Sequence, residues 1–190
     1  MSLSPQNRGR VLAAALTLSG LGLVGIALDE DYRDAAYKPT PADVHTIGFG
    51  HTAGVKPGDK TTPPRALQAL HGDVSATEAA LKKCLGDIPM YQGEWDAFVS
   101  LAFNVGPGAV CASTIPAKLR AGNYTAACET IRSFNKQCVQ REAGRCVKYV
   151  ELPGLTKRRN REAAQCLAAG AAAAAQAASA PKNPPTETKK

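Results

Sequence analysis

Aromatic residues are scarce in this chain of 190 residues, with four Phe, five Tyr and a single Trp making up 5% of it. So few rings leave little for stacking nucleobases, and no nucleic-acid-binding motif is present, so no nucleic acid is expected as a partner. No two of the six cysteines have CxxC spacing, and the three histidines do not follow them at zinc-finger intervals. That excludes the usual structural zinc sites, and neither a metal nor another cofactor is expected. Charge is missing altogether between residues 11 and 28, and no cysteine precedes Cys84. What the chain has in excess is positive charge, formally +7. With nucleic acid set aside, this suits an anionic membrane surface, an anionic polymer such as a bacterial cell wall, or simply a solvated basic surface.

The cysteines stand at 84, 111, 128, 138, 146 and 166. An even number without metal spacing reads as disulfides and an oxidising compartment. Cys138 and Cys146 bracket a short polar loop and form a local bridge; the other four remain open to more than one pairing.

The N-terminal region divides sharply. Residues 1–10 are polar and carry Arg8 and Arg10; residues 11–28 are eighteen without a charge; Asp29, Glu30 and Asp31 follow at once. As a helix, eighteen residues reach ~27 Å and just span a hydrocarbon core. Basic residues before the run and acids after it predict the N-terminus inside and the rest exported. The span is a weak one, because nine of its residues are Ala, Gly, Ser or Thr. A cleavable signal peptide fits less well. There is no clean small-x-small site, and cutting near Ala27 would leave Glu30 almost at a new N-terminus.

Further on, Thr62 with Pro63 and Pro64 opens a helix running to about Cys84, with Leu67, Leu70, Val74 and Leu81 close to one face and Gly86 as its stop. Residues 91–104 carry the clearest helical stripe, Tyr91, Trp95, Phe98, Val99, Ala102 and Phe103. Trp95 lies on that stripe and reads as core rather than as a sugar-stacking ring. Short helices are expected over about 114–121 and 123–135, with Ala127, Ile131 and Phe134 as their core face. Residues 136–151 read as a polar insertion. A last helix opens at 152–155, and its basic face reads as solvated. Residues 168–190, rich in Ala, then in Pro, Lys and Thr, read as a fraying helix and a flexible tail.

The chemistry centres on residues 29–52. Glu30 ends a helical pattern, Asp43 sits in a proline-bracketed turn, and a β-rich run with glycines at 48 and 50 follows. Two carboxylates so placed suit glycosidic hydrolysis, in which one protonates the leaving oxygen and the other activates water or stabilises the cation. The string Thr-Ile-Gly-Phe-Gly-His-Thr at 46–52 is more specific. With Glu30, Ala36-Tyr37 and Asp43 before it, this stretch resembles the phage-type lysozymes, glycoside hydrolase family 24. The interval from Glu to Asp is longer, and that from Asp to Thr shorter, than in the family pattern. Pro39 stands where the family's Asp would fall.

The resemblance implies an α+β, mainly α fold, lysozyme-like, with a small β-hairpin lobe and a larger helical lobe, here with a weak N-terminal transmembrane helix added. It implies Glu30 as general acid, Asp43 as its carboxylate partner and Thr46 as the hydroxyl holding the attacking water. Tyr37, His51 and Asn104 are implied on the substrate side; Asn104-Val105-Gly106 and the run from Gly154-Leu155 to Glu162-Ala163 also match family patterns. It suggests bridges 84–111 and 128–166. The substrate implied is the peptidoglycan glycan strand, cut between N-acetylmuramic acid and N-acetylglucosamine, by a monomer. The segment 11–28 looks like the signal-anchor-release segments of phage endolysins. That divides the chain into a cytoplasmic N-terminus (1–10), an anchor in the inner membrane (11–28), a muramidase domain (29–167) and a tail (168–190). The enzyme would be exported, held at the inner membrane and then freed into the periplasm of a Gram-negative host. The rivals are a lytic transglycosylase on the same bond and a membrane-tethered, non-catalytic cell-wall binder.

Overall fold

The computed structural model describes residues 9–40, 43–143 and 145–179. The described residues open with β1 (Val11–Leu12), a 3-10 turn (Ala13–Ala15) and α1 (Gly20–Asp29). β2 (Arg33–Tyr37) and β3 (Thr46–Gly48) pair antiparallel as a small lobe. α2 (Pro63–Leu85) joins that lobe to the helical body, made of β4 (Pro89–Met90), α3 (Gln92–Val105), α4 (Pro107–Ala112), α5 (Ile115–Arg120) and α6 (Tyr124–Thr130). A 3-10 turn (Ile131–Ser133), a second hairpin of β5 (Lys136–Glu142) and β6 (Arg145–Glu151), and α7 (Pro153–Ser179) complete it.

α3 is the axis of the body. Eight of its residues, from Glu94 through Ala102 with Ser100 left out, are buried, so it is covered on every side, as a central helix must be. α7, α4, α2 and α1 pack around it. Trp95 is fully buried and donates from Nε1 to Glu78 Oε1 at 2.9 Å, which confirms it as core. α2 starts with prolines in its first turn, where their missing N–H groups cost nothing. Its buried face is Ala66, Leu70, Val74, Glu78, Leu81 and Leu85. Leu67 points to solvent instead, because the stripe advances in steps of four and leaves position 67 to one side.

All three bridges form: Cys84–Cys111, Cys128–Cys166 and Cys138–Cys146. The first two tie α2 to α4 and α6 to α7, while the third lies within the β5–β6 hairpin. That hairpin is the form taken by the polar insertion expected at 136–151, whose strands were not expected. Val139, Val147, Tyr149 and Val150 supply β-forming residues that are nonetheless exposed, so no burial pattern announced it. The helix expected over 123–135 stops at Thr130 in a 3-10 turn, and α4 was not foreseen.

The largest departure is at the N-terminus. Residues 11–28 do not form one helix, and no helix among the described residues is long and apolar enough to cross a membrane. Val11 and Leu12 pair with Met90 and Pro89, and the next amides donate to Ile88 and Gly86 carbonyls. Leu18 and Ser19 donate their N–H groups to Glu78 and Asp96. With these amides occupied by tertiary partners, helix can begin only after Ser19, whose hydroxyl accepts the Gly22 N–H as a cap. α7 runs on through the alanine-rich stretch to Ser179; the rest of the expected tail lies outside the described residues.

Candidate active site

Glu30 closes α1 as its C-cap residue. Its Oε1 accepts from Arg158 Nη1 at 3.0 Å. Its Oε2 faces the loop after β3, 3.7 Å from where a Cβ on Gly50 would lie. The two glycines of the Thr-Ile-Gly-Phe-Gly string have distinct reasons. Gly48 has φ +64° and is buried so tightly that a Cβ would come 2.8 Å from Ala66 Cβ on α2. Gly50, at φ +88°, turns the chain so that Ile47 and His51 exchange backbone hydrogen bonds of 2.9 and 3.0 Å. Tyr32 and Phe49 then meet with ring centroids 5.3 Å apart, joining the segment after Glu30 to the same loop.

The other expected residues fall in three places. Thr46 is buried and opposite Tyr37 in the β2–β3 register, and its hydroxyl donates to Val44 O at 3.3 Å. His51 Nδ1 lies 2.8 Å from Asp73 Oδ2 on α2, bracing the lobe against the connecting helix. Asp43 is exposed and engaged within its own turn, where its Oδ2 accepts the Thr40 N–H at 2.9 Å. Residues 41 and 42 of that turn lie outside the described residues. Asn104, at the end of α3, accepts from Arg159 Nη1 at 3.0 Å.

The residue that sequence reasoning missed is Arg158. The basic face of α7 was expected to be solvated, yet Arg158 and Arg159 are buried, and of this face Lys157 and Arg161 are the exposed ones. Arg158 reaches Asp29 Oδ2 and Glu162 Oε1, both at 3.2 Å, as well as Glu30. Arg159 donates from Nη2 to Glu162 Oε1 at 2.9 Å, and Ser100 donates to the same oxygen at 2.7 Å. Arg159 Nε lies 2.7 Å from Glu162 Oε2, but its N–H is not aimed at that oxygen, so neither atom completes a hydrogen bond there. Burial lowers the Arg159 pKa from its ordinary value, against the opposing pull of the Glu162 carboxylate. Asp29 is also paired with Arg161. A continuous chain of polar contacts therefore runs from Asn104 through Arg159, Glu162 and Arg158 to Glu30. A signal for it existed: positions 155, 158, 159, 162, 163 and 166 recur at helical spacing, so both arginines sit on that core-facing stripe.

A mainly helical body, a small hairpin lobe and a carboxyl held between them at the end of a helix define a lysozyme-type glycoside hydrolase. The comparison with known proteins agrees. The family model described as phage lysozyme matches residues 28–162, and the chain belongs to that family. It is 35% identical to the endolysin of Acyrthosiphon pisum secondary endosymbiont phage 1, over 77% of this chain and 95% of that protein. It is 36% identical to the SAR-endolysin of Pseudomonas phage phiKMV, over 84% of this chain and 90% of that protein. Among solved structures, the endolysin from Escherichia coli O157:H7 phage FAHEc1 superposes with a TM-score of 0.69 at 34% identity, covering 80% of this chain and 94% of that one.

Proposed function

We propose that this glycoside hydrolase is a phage endolysin that hydrolyses the β-1,4 bond between N-acetylmuramic acid and N-acetylglucosamine, with Glu30 as the proton donor. The observation that carries the reading is the asymmetric setting of the Glu30 carboxyl. Oε1 accepts from Arg158 in either protonation state, while Oε2 is turned towards Gly50. Oε2 is then the oxygen that delivers the proton to the leaving sugar. Asp43 and Thr46 act together on the hairpin lobe. Asp43 supplies the second carboxylate and Thr46 a hydroxyl that orients the water. Tyr37, His51 and Asn104 shape the substrate side, through the hairpin register, the Asp73 brace and the Arg159 contact.

Glu30→Gln tests this. The variant keeps the folded thermal transition and loses lysis of permeabilised Gram-negative cells; an active Glu30→Gln sinks the assignment. Mass spectrometry of the wild-type products separates hydrolysis from the transglycosylase alternative, which leaves an anhydro sugar.

Residues 11–28 act, on this reading, as an inner-membrane anchor that is released to give the folded, periplasmic form. The support is their surplus of apolar surface. Leu21 and Leu28 are 86% and 82% exposed in the docked segment, and Val11, Leu12 and Val24 are about half exposed. Five large aliphatic side chains facing water are not what the fold needs, but they suit lipid. A relative bearing the name SAR-endolysin points the same way. Cell fractionation before and after depolarisation decides it, since a chain that stays in the membrane throughout, or is trimmed, rules the mechanism out.

A further inference from the structure

Three carboxylates on α2 and α3 are buried in the helical body without belonging to the catalytic set: Glu78, Glu94 and Asp96. Each takes donors from the N-terminal segment. Glu78 Oε1 accepts the Leu18 N–H at 2.6 Å. Asp96 accepts the Ser19 N–H at 3.0 Å and the Ser19 hydroxyl at 2.6 Å. Glu94 receives the Arg10 guanidinium, Nη2 to Oε1 at 2.7 Å and Nε to Oε2 at 3.2 Å. That ion pair is sealed from water, with side-chain exposures of 7% and 2%, and the guanidinium lies over the rings of Tyr124 and Tyr91 at 3.7 and 4.2 Å from their centroids. Buried carboxylates are costly unless matched. The body is therefore cut to receive this segment by its polar atoms, although the segment itself is apolar.

The order of these contacts along the chain carries the inference. Leu18 and Ser19 lie in the middle of the uncharged run, whereas Arg10 lies just before it. If residues 11–28 span the inner membrane, as proposed above, Arg10 is on the cytoplasmic side, ~30 Å of hydrocarbon away from Glu94 on the exported body. A partly withdrawn segment brings Ser19 to Asp96 but cannot bring Arg10 to Glu94. We infer that the Arg10–Glu94 contact is a latch that closes only when the anchor has left the bilayer completely, and that it then holds residues 10–30, and so Glu30, on the body. The charge that orients the anchor in the membrane also secures the released form. Reinsertion would require stripping a guanidinium from a buried carboxylate and two rings. The inference rests on the anchor reading for its timing, but the contact can be judged without it.

The test uses full-length Arg10→Gln, Glu94→Gln, the double variant and Arg10→Lys. In protein folded without lipid, the rate of proteinase K cutting within residues 11–29 reports opening of the segment. Arg10→Gln and Glu94→Gln are expected to raise it about tenfold or more, with a matching fall in muramidase activity. Arg10→Lys falls between, since an ammonium keeps the charge but not the fork. The double variant recovers part of the loss, because no charge is left buried alone. Equal protection and activity in Arg10→Gln and wild type overturn the latch; so do cuts spread over the whole body, which would mean a general folding role. In cells depolarised and then repolarised, wild type stays soluble and Arg10→Gln returns to the membrane fraction. Wild type that is soluble before depolarisation defeats both the anchor reading and the timing of the latch, whereas loss of protection in lipid-free Arg10→Gln would still uphold the contact.

Discussion

Replacing Arg158 with Met tests how the Glu30 carboxyl is held. The guanidinium is buried and lies within 3.2 Å of Asp29, Glu30 and Glu162. Met fills much of the same volume but leaves three carboxylates facing one another. Removing one member of a buried ionic cluster costs about 3–5 kcal/mol. That figure needs reducing here, because Asp29 keeps Arg161, Glu162 keeps Arg159 and Ser100, and the Glu30 side chain is about a quarter exposed. About 2–4 kcal/mol is the expected loss, which for a chain of this size lowers the melting temperature by roughly 4–16 °C. Activity should fall further than stability explains, about a hundredfold at a temperature where the variant is fully folded, because Glu30, the proposed proton donor, loses its fixed orientation. The decisive measurement is a double-mutant cycle for stability with Glu30→Gln. If Arg158 compensates Glu30, the Met substitution costs less in the Gln background, with a coupling of about 1–3 kcal/mol. Additive effects, or an Arg158→Met enzyme with wild-type melting and turnover, would refute the reasoning.

Three further predictions concern the frame. Gly48→Ala and Gly72→Ala should act with opposite sign in thermal denaturation. At Gly48 the positive φ and the 2.8 Å approach to Ala66 cost about 2–4 kcal/mol, whereas Gly72, in open space on α2, gains about 0.5–1 kcal/mol as Ala. Cys128→Ser/Cys166→Ser should destabilise more than Cys138→Ser/Cys146→Ser. The loops they close span 38 and 8 residues, worth about 4 and 2.5 kcal/mol in the chain-entropy account, and equal losses on chemical denaturation would count against it. Hydrogen bonding to Arg120 lowers the Asp87 pKa. Its stabilisation is therefore complete above the unfolded carboxyl value near pH 4 and is lost as pH falls through the folded one. The pair is exposed and worth about 0.2–1 kcal/mol, so Asp87→Asn should remove only that acid-dependent part of the stability curve.

Much of the candidate site and its frame was legible before any coordinates. Glu30 at a helix end, the two glycines and the Trp95 stripe follow from local rules, since a turn demands its glycine and a buried helix face recurs every three or four residues. The Cys138–Cys146 bridge was legible for the same reason, its partners being close in sequence. β2 was not, because its strand character depends on pairing with β3 and on the bridge from Ala35 to Lys60, and its own residues alternate too little to announce it. The β5–β6 hairpin escaped because it buries almost nothing.

What the chain settles on its own is therefore the place of Glu30 at a helix end, the glycine geometry of the loop beside it and the presence of an uncharged N-terminal run. Tertiary structure alone decides what those pieces meet. The contact from Arg158 to Glu30 joins residues 128 positions apart, and that from Arg10 to Glu94 joins residues 84 apart; no local periodicity encodes either. The uncharged run can in principle be one helix or several elements. It becomes a strand, a turn and a short helix because carboxylates on α2 and α3 and carbonyls of the segment between α2 and β4 claim its amides, an outcome that only the folded body can impose.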